Sequence, residues 1–199
     1  MPKPIILASA SEIRAQLLRN ARIQFSIVPA RIDEDAIKAG LAQEEASPRD
    51  VADVLAEFKA QAISRKRPEA LVIGCDQVAE LRGKILSKPT DQANALHQLS
   101  TLSGKTHKLL SAVVIHEAGR PIWRHVGVVR LTARKFSTRY LEDYVARNWE
   151  SIRYSVGAYK LEEEGIRLFS KIEGDYFTVL GLPMTELLSY LVERELIPV

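Results

Sequence analysis

The chain has 199 residues, long enough for one sizeable core and most simply one domain or two closely packed lobes. Its 46% hydrophobic and 27% charged residues are ordinary for a soluble globular protein; a net charge of +3 suits a cleft for an anionic ligand, without the Lys/Arg run that a nucleic-acid arm or anionic membrane requires. The single cysteine, Cys75, excludes an internal disulfide and a paired-cysteine metal site, and no apolar run approaches the ~18 residues of a membrane span, so a reducing cytoplasm is the expected setting.

Residues 5–8 read as a short buried strand that Ser9, Ala10 and Ser11 turn into a helix, with Ile13, Leu17 and Leu18 at helical spacing and Ser11 as N-cap. Serine hydroxyls, Arg14 in the first turn and the positive end of the helix make a workable anion site, although an ordinary capped helix with a solvated arginine reads the same way. Residues 24–28 alternate and stop at Pro29, as a second strand. Asp33, Glu34 and Asp35 then fall on a loop. Such acids are either solvated surface or the one or two carboxylates that Mg²⁺ or Mn²⁺ takes before completing its shell with water and phosphate oxygens. Ser47-Pro48 opens a helix through Ser64 with Val51, Val54, Leu55, Phe58 and Ala62 on one face. Lys59 lies at the edge of that face, placed to snorkel to water or to carry its ammonium into a cleft.

Leu71, Val72 and Ile73 form a continuous apolar run followed by Gly74 and Cys75, as in a strand buried on both faces. Asp76 ends that run, so a strand tip delivers a carboxylate, either as a cap or as a reagent facing a cleft. Arg82-Gly83 reads as a tight hairpin turn between residues 78–81 and 84–86. Residues 90–101 are helical with Ala93, Leu96 and Leu99 near one face and Gly104 as the stop. Two long strands, 106–116 and 121–132, follow. Ser137 caps a helix with Tyr140, Leu141, Tyr144 and Val145 inward; residues 167–172 read as the last strand, and Pro183 opens a terminal helix. Strands and helices interleave throughout without repeats or linkers, which predicts an α/β architecture.

The four histidines, His97, His107, His116 and His125, lack the spacing of a zinc site, and the serine-hydrolase elbow, phosphate-loop and dinucleotide fingerprints are all absent. Trp123 and Trp149 do not interleave with basic clusters, which disfavours a nucleic-acid-binding module. What remains is three cations that could converge, Arg14, Lys59 and Lys88, and two acids that could hold a metal, Glu34 and Asp76. Positive groups around a carboxylate-held divalent cation are what a polyphosphate substrate needs.

Eight segments, residues 7–14, Asp33-Glu34, 55–60, 74–77, Ser87-Lys88-Pro89, 102–107, 156–159 and 174–183, resemble in order the motifs of the Maf family of nucleoside triphosphate pyrophosphatases, over nearly the whole chain. The resemblance implies a single Maf/ITPase-like α/β domain over residues 1–199, with an elongated mixed sheet in two lobes around a central cleft. It implies a hydrolase that splits the α–β phosphate bond of a nucleotide with the help of Mg²⁺ or Mn²⁺. Carried over by position, Ser9 and Arg14 would bind phosphate, Glu34 and Asp76 would ligate metal, and Lys59 and Lys88 would neutralise the triphosphate. Asp76 would also be the proton acceptor for the attacking water. Gln77 and Glu162 would contact the base, and Asp76-Gln77 with residues 157–162 is closer to the branch that takes 7-methyl-GTP than to the dTTP/UTP branch. Glu12-Ile13 departs from the Pro followed by arginine or an aromatic that many members carry. The resemblance also implies a homodimer, for which the apolar stretches 112–115 and 126–131 would supply a face. A non-catalytic nucleotide-binding regulator of cell division or septum formation is the alternative, and the full set of acids and lysines argues against it.

Overall fold

The computed structural model describes residues 3–198. Its central strand is β3 (Leu71–Leu81), whose first residues are buried on both faces as their unbroken apolar run predicts. Parallel β1 (Ile5–Leu7) lies along one edge, with β2 (Ser26–Ile27) beyond it. Antiparallel β5 (Thr106–Glu117) covers the other edge, followed by β6 (Arg120–Ala133) and β7 (Phe169–Glu173). Short β4 (Lys84–Leu86) folds back on β3 through Arg82 and Gly83, both at positive φ as a two-residue hairpin demands. The result is a seven-stranded mixed sheet, which agrees with the α/β expectation.

Asp76 does not end its strand, contrary to the sequence reading; it sits in the middle of β3. The reason lies in the pairing. β5 accompanies β3 from Leu71 to Glu80, but on the opposite edge β1 stops at Ile73 and β4 begins only at Ala79. Residues 74–78 therefore keep an open edge, and a polar side chain there meets a cleft rather than another strand. The second strand is shorter than predicted, since only Ser26 and Ile27 pair, and both are exposed.

Seven α-helices, α1 (Glu12–Asn20), α2 (Glu34–Gln43), α3 (Pro48–Ser64), α4 (Gln92–Leu102), α5 (Thr138–Ile152), α6 (Tyr176–Val179) and α7 (Met184–Glu193), cover the sheet among the described residues. The acids predicted on a loop belong to α2: Asp33 caps it by accepting from the Ala36 amide at 2.9 Å, and Glu34 and Asp35 lie in its first turn. Helix α3 packs on β3 at Gly74, where a Cβ would fall 2.2 Å from the Ala56 carbonyl oxygen and 2.6 Å from the Ala60 amide nitrogen. So close an approach needs small side chains. The buried face is accordingly Val51, Ala52, Leu55, Ala56, Ala60 and Ile63, while Phe58, expected inward, is 43% exposed. In α4, likewise, Ala95, Gln98, Leu99 and Leu102 are buried and Ala93 is exposed.

On the face away from α3 the core falls into two clusters. Leu71, Ile73, Cys75, Val113 and Ile115 pack with α1 and α7 at one end of the strands; Ala79, Leu81, Leu109, Val129 and Leu131 pack with α4 and α5 at the other. Between them Gln77, Ser111 and Gly127 stand in register across β3, β5 and β6. Short α6 passes over this row, because Gly127 leaves room for the Thr178 side chain, which a Cβ would meet at 2.7 Å. The apolar residues 112–115, expected to need a partner, are fully buried within the chain: Ala112 and Val114 under α3, Val113 and Ile115 in the α1–α7 cluster. That stretch therefore offers no free face, whereas in the second, 126–131, Val128 stays 38% exposed.

Candidate active site

The open edge of β3 forms the floor of a cleft of about 560 Å³. Ser9, Arg14, Glu34, Lys59, Asp76, Gln77, Lys88 and Glu162, all eight candidates from the sequence, line it. Four different elements and three loops deliver them.

The first wall is the β1–α1 turn. Ser9 is buried, and its Oγ accepts from the Ser11 amide at 3.2 Å and from Arg14 Nη1 at 3.4 Å, which leaves its own O–H free to donate into the cleft. Ser11 occupies the N-cap position as predicted, but its side chain makes no capping bond. Arg14 also donates from Nη1 to the Cys75 carbonyl at 3.1 Å. That carbonyl is on the stretch of β3 that neither β1 nor β4 pairs, so the arginine takes the place of a missing strand. Gly181 is at φ +91, and a Cβ on it would lie 2.9 Å from the Arg14 guanidinium, which ties the glycine of the last motif to the arginine of the first.

The floor carries the charge. Lys59, on the rim of α3, reaches over β3 and donates to Asp76 Oδ1 at 2.6 Å and to Glu34 Oε1 at 2.7 Å. One ammonium thus bridges two carboxylates from separate elements. Burial alone would lower the lysine's pKa, but Asp76 and Glu34 together outweigh it and hold the ammonium above its ordinary range. Burial also opposes ionisation of Glu34, yet the Lys59 hydrogen bond and charge, with Lys38 and Lys88 behind them, keep its carboxyl below the usual value. Lys88 itself is exposed in the loop after β4. The second oxygen of Asp76, Oδ2, takes no hydrogen bond among the described residues.

The far wall is the segment after α5. Gly157 and Ala158 both adopt positive φ, and this kink turns Tyr159 inward, where its hydroxyl meets His107 Nε2 at 2.7 Å. Burial pushes His107 down to about 4, with the Leu131 backbone and the Glu80 charge pulling the other way. Glu162 is exposed on the rim, with no ion pair or hydrogen bond among the described residues. Sequence reasoning missed Tyr154, which is 67% exposed at the mouth, and Ser111, which lies beneath Gln77. Neither falls in a spacing that marks chemistry.

A model of the Maf-like protein family matches residues 4–194. The chain belongs to the Maf family. Its curated relatives include a nucleoside triphosphate pyrophosphatase of Roseobacter denitrificans, 62% identical over the whole of both chains. Another protein of that name, from Caulobacter vibrioides, is 50% identical over 94% of each chain. A 7-methyl-GTP pyrophosphatase of Brucella abortus is 47% identical over 96% of each chain. Parts of five Maf motifs read from the sequence thus meet in one place: residues 8–14, Glu34, Lys59, Asp76-Gln77 and Lys88 are far apart in the chain and line one cleft.

Proposed function

We propose that this chain is a nucleoside triphosphate pyrophosphatase, converting a nucleotide to its monophosphate and pyrophosphate by hydrolysis of the α–β phosphate bond. The observation that carries this reading is the Lys59 ammonium bridging Glu34 and Asp76 within one cleft that Ser9, Arg14 and Lys88 also line. Two carboxylates already gathered around one cation fit a divalent metal, and no group of three or more such ligands exists among the described residues. This donor set suits Mg²⁺ or Mn²⁺, which takes one or two carboxylates and completes its shell from phosphate and water. Glu34 and Asp76 would hold the ion, and it would supply charge neutralisation on the phosphate oxygens.

The chain's own groups account for the rest. The Ser9 hydroxyl and Arg14 hold phosphate oxygens at one wall, and Lys88 meets the chain of phosphates from the other. Lys59 is set to exchange its carboxylate contacts for phosphate oxygens when the triphosphate enters. Asp76 Oδ2 accepts the proton of the attacking water. The tests are direct: pyrophosphate release across a panel of normal and modified nucleoside triphosphates with Mg²⁺ present, and no release after chelation. The alternative, a non-catalytic regulator of cell division, predicts nucleotide binding without pyrophosphate release; the relatives named above carry enzyme names instead.

The reading extends to a cytoplasmic protein acting as a homodimer. No described helix is long and apolar enough to cross a membrane. With residues 112–115 buried inside the chain, the dimer rests mainly on family membership, and of the second stretch only Val128 offers an exposed apolar side chain. Light scattering at micromolar concentration checks it: a particle of 22.3 kDa would rule it out.

A further inference from the structure

Two lysines already hold most of the carboxylate oxygen that a divalent cation would use. Lys59 Nζ lies 2.7 Å from Glu34 Oε1 and 2.6 Å from Asp76 Oδ1, and the Lys59 and Asp76 side chains are only 13% and 11% exposed. Lys38, one turn along α2, faces the other oxygen of the same glutamate, Glu34 Oε2, at 3.6 Å. Of the four oxygens on these two acids, three therefore face an ammonium, and only Asp76 Oδ2 takes no hydrogen bond among the described residues. A hard cation binds through those same oxygens. To reach them alone it must drive Lys59 off two charge-assisted hydrogen bonds, which are the strong kind, or share the oxygens with the ammonium in a site short of water. A triphosphate changes this balance. Its oxygens offer Lys59 new acceptors, and its negative charge offsets the second cation.

We propose that Lys59 is a resident counter-ion that couples metal binding to nucleotide binding: Glu34 and Asp76 take a divalent cation weakly until a triphosphate draws the ammonium away. Lys38, outside the phosphate-binding set, is a lesser counter-ion on Glu34 alone. The coupling is reciprocal, so the metal tightens the nucleotide by the same factor as the nucleotide tightens the metal. The cleft thus favours a nucleotide that arrives with its cation over either one alone. This inference rests on the pyrophosphatase reading for its ligand.

The test is binding of Mn²⁺ alone, read from the paramagnetic resonance signal of the unbound ion, for parent, Lys59→Met, Lys59→Arg and Lys38→Met. Lys59→Met should bind Mn²⁺ about 5-fold to 150-fold more tightly than the parent, the usual range of coupling between sites. Lys59→Arg keeps the charge and should stay at the parental affinity. Lys38→Met removes a more exposed charge at 3.6 Å and should gain at most about fivefold. Adding Glu34→Gln to Lys59→Met should abolish the gain. In the parent, saturating Mn²⁺ should tighten a non-hydrolysable triphosphate analogue, and Lys59→Met should shrink that factor. A parent that binds Mn²⁺ alone as tightly as Lys59→Met, or a gain that survives Glu34→Gln, would overturn the coupling. A parent that shows the coupling but releases no pyrophosphate would instead sink the pyrophosphatase reading and leave the coupling standing.

Discussion

Asp76 gives one oxygen to Lys59 and keeps the other open, on a rigid strand at the floor of the cleft. Asp76→Asn preserves its shape and removes the charge that a metal ligand and a proton acceptor both need, so turnover should fall at least about 10²-fold while circular dichroism stays native. A residue that merely capped a turn would tolerate the change, since Asn and Asp rank together at caps. Parental pyrophosphate release from the folded variant would discard the assignment. Lys88→Ala should raise KM as well as lower kcat, because an exposed lysine on a loop meets the triphosphate in the ground state too. The charged candidates were legible in sequence because their chemistry is rare and their types suit polyphosphate. Ser111 was not, for a buried serine within an apolar strand differs from a tolerated core hydroxyl only in what it touches.

Among elements, the α3–β3 contact decides whether Lys59 and Asp76 meet. Gly74→Ala would place a methyl within 2.2 Å of the Ala56 carbonyl, and backbone cannot yield as a side chain can. The helix must lift. We expect a loss of about 1–3 kcal/mol or more from overpacking, read by urea unfolding, together with lower turnover because Lys59 moves with its helix. A variant with parental stability would show that the helix is not seated as described. A second link joins β5 to the loop after α5 through His107 and Tyr159. Burial holds the folded His107 at about 4 against an ordinary 6.5, so the unfolded chain binds more protons between these values. Its contribution is present above pH 6.5 and is lost as pH falls toward 4. His107→Gln, which keeps a partner for the Tyr159 hydroxyl but does not titrate, should show a smaller drop in Tm between about pH 7.5 and about pH 4.5, values that span most of that window. Equal drops would place the acid sensitivity elsewhere. Helices α1, α3 and α5 were readable from caps and period. The α2 start was not, because Asp33 reads equally as a loop acid and as an N-cap. β3 was cut short because pairing along one edge is a tertiary fact, absent from its own residues.

At the scale of the molecule, the cleft separates two packed ends of one sheet. Arg14 belongs to the end built on α1 and α7; Lys88 follows β4 at the end built on α4 and α5. A triphosphate held by both would tie the two ends together, whereas one held at a single wall would leave them independent. A non-hydrolysable analogue at about 100 times its Kd stabilises the native state by about 2.7 kcal/mol. For a chain of this size, that is a rise in Tm of about 5–10 °C. Arg14→Ala and Lys88→Ala sit on opposite walls, yet each should remove most of the rise at fixed ligand concentration, and each should shift the midpoint of a nucleotide titration in the same direction. If Arg14→Ala abolishes the stabilisation and Lys88→Ala leaves it whole, the nucleotide rests on the α1 wall alone. The two ends would then be free to move with substrate bound, and Lys88 would have to act, if at all, only on the departing pyrophosphate.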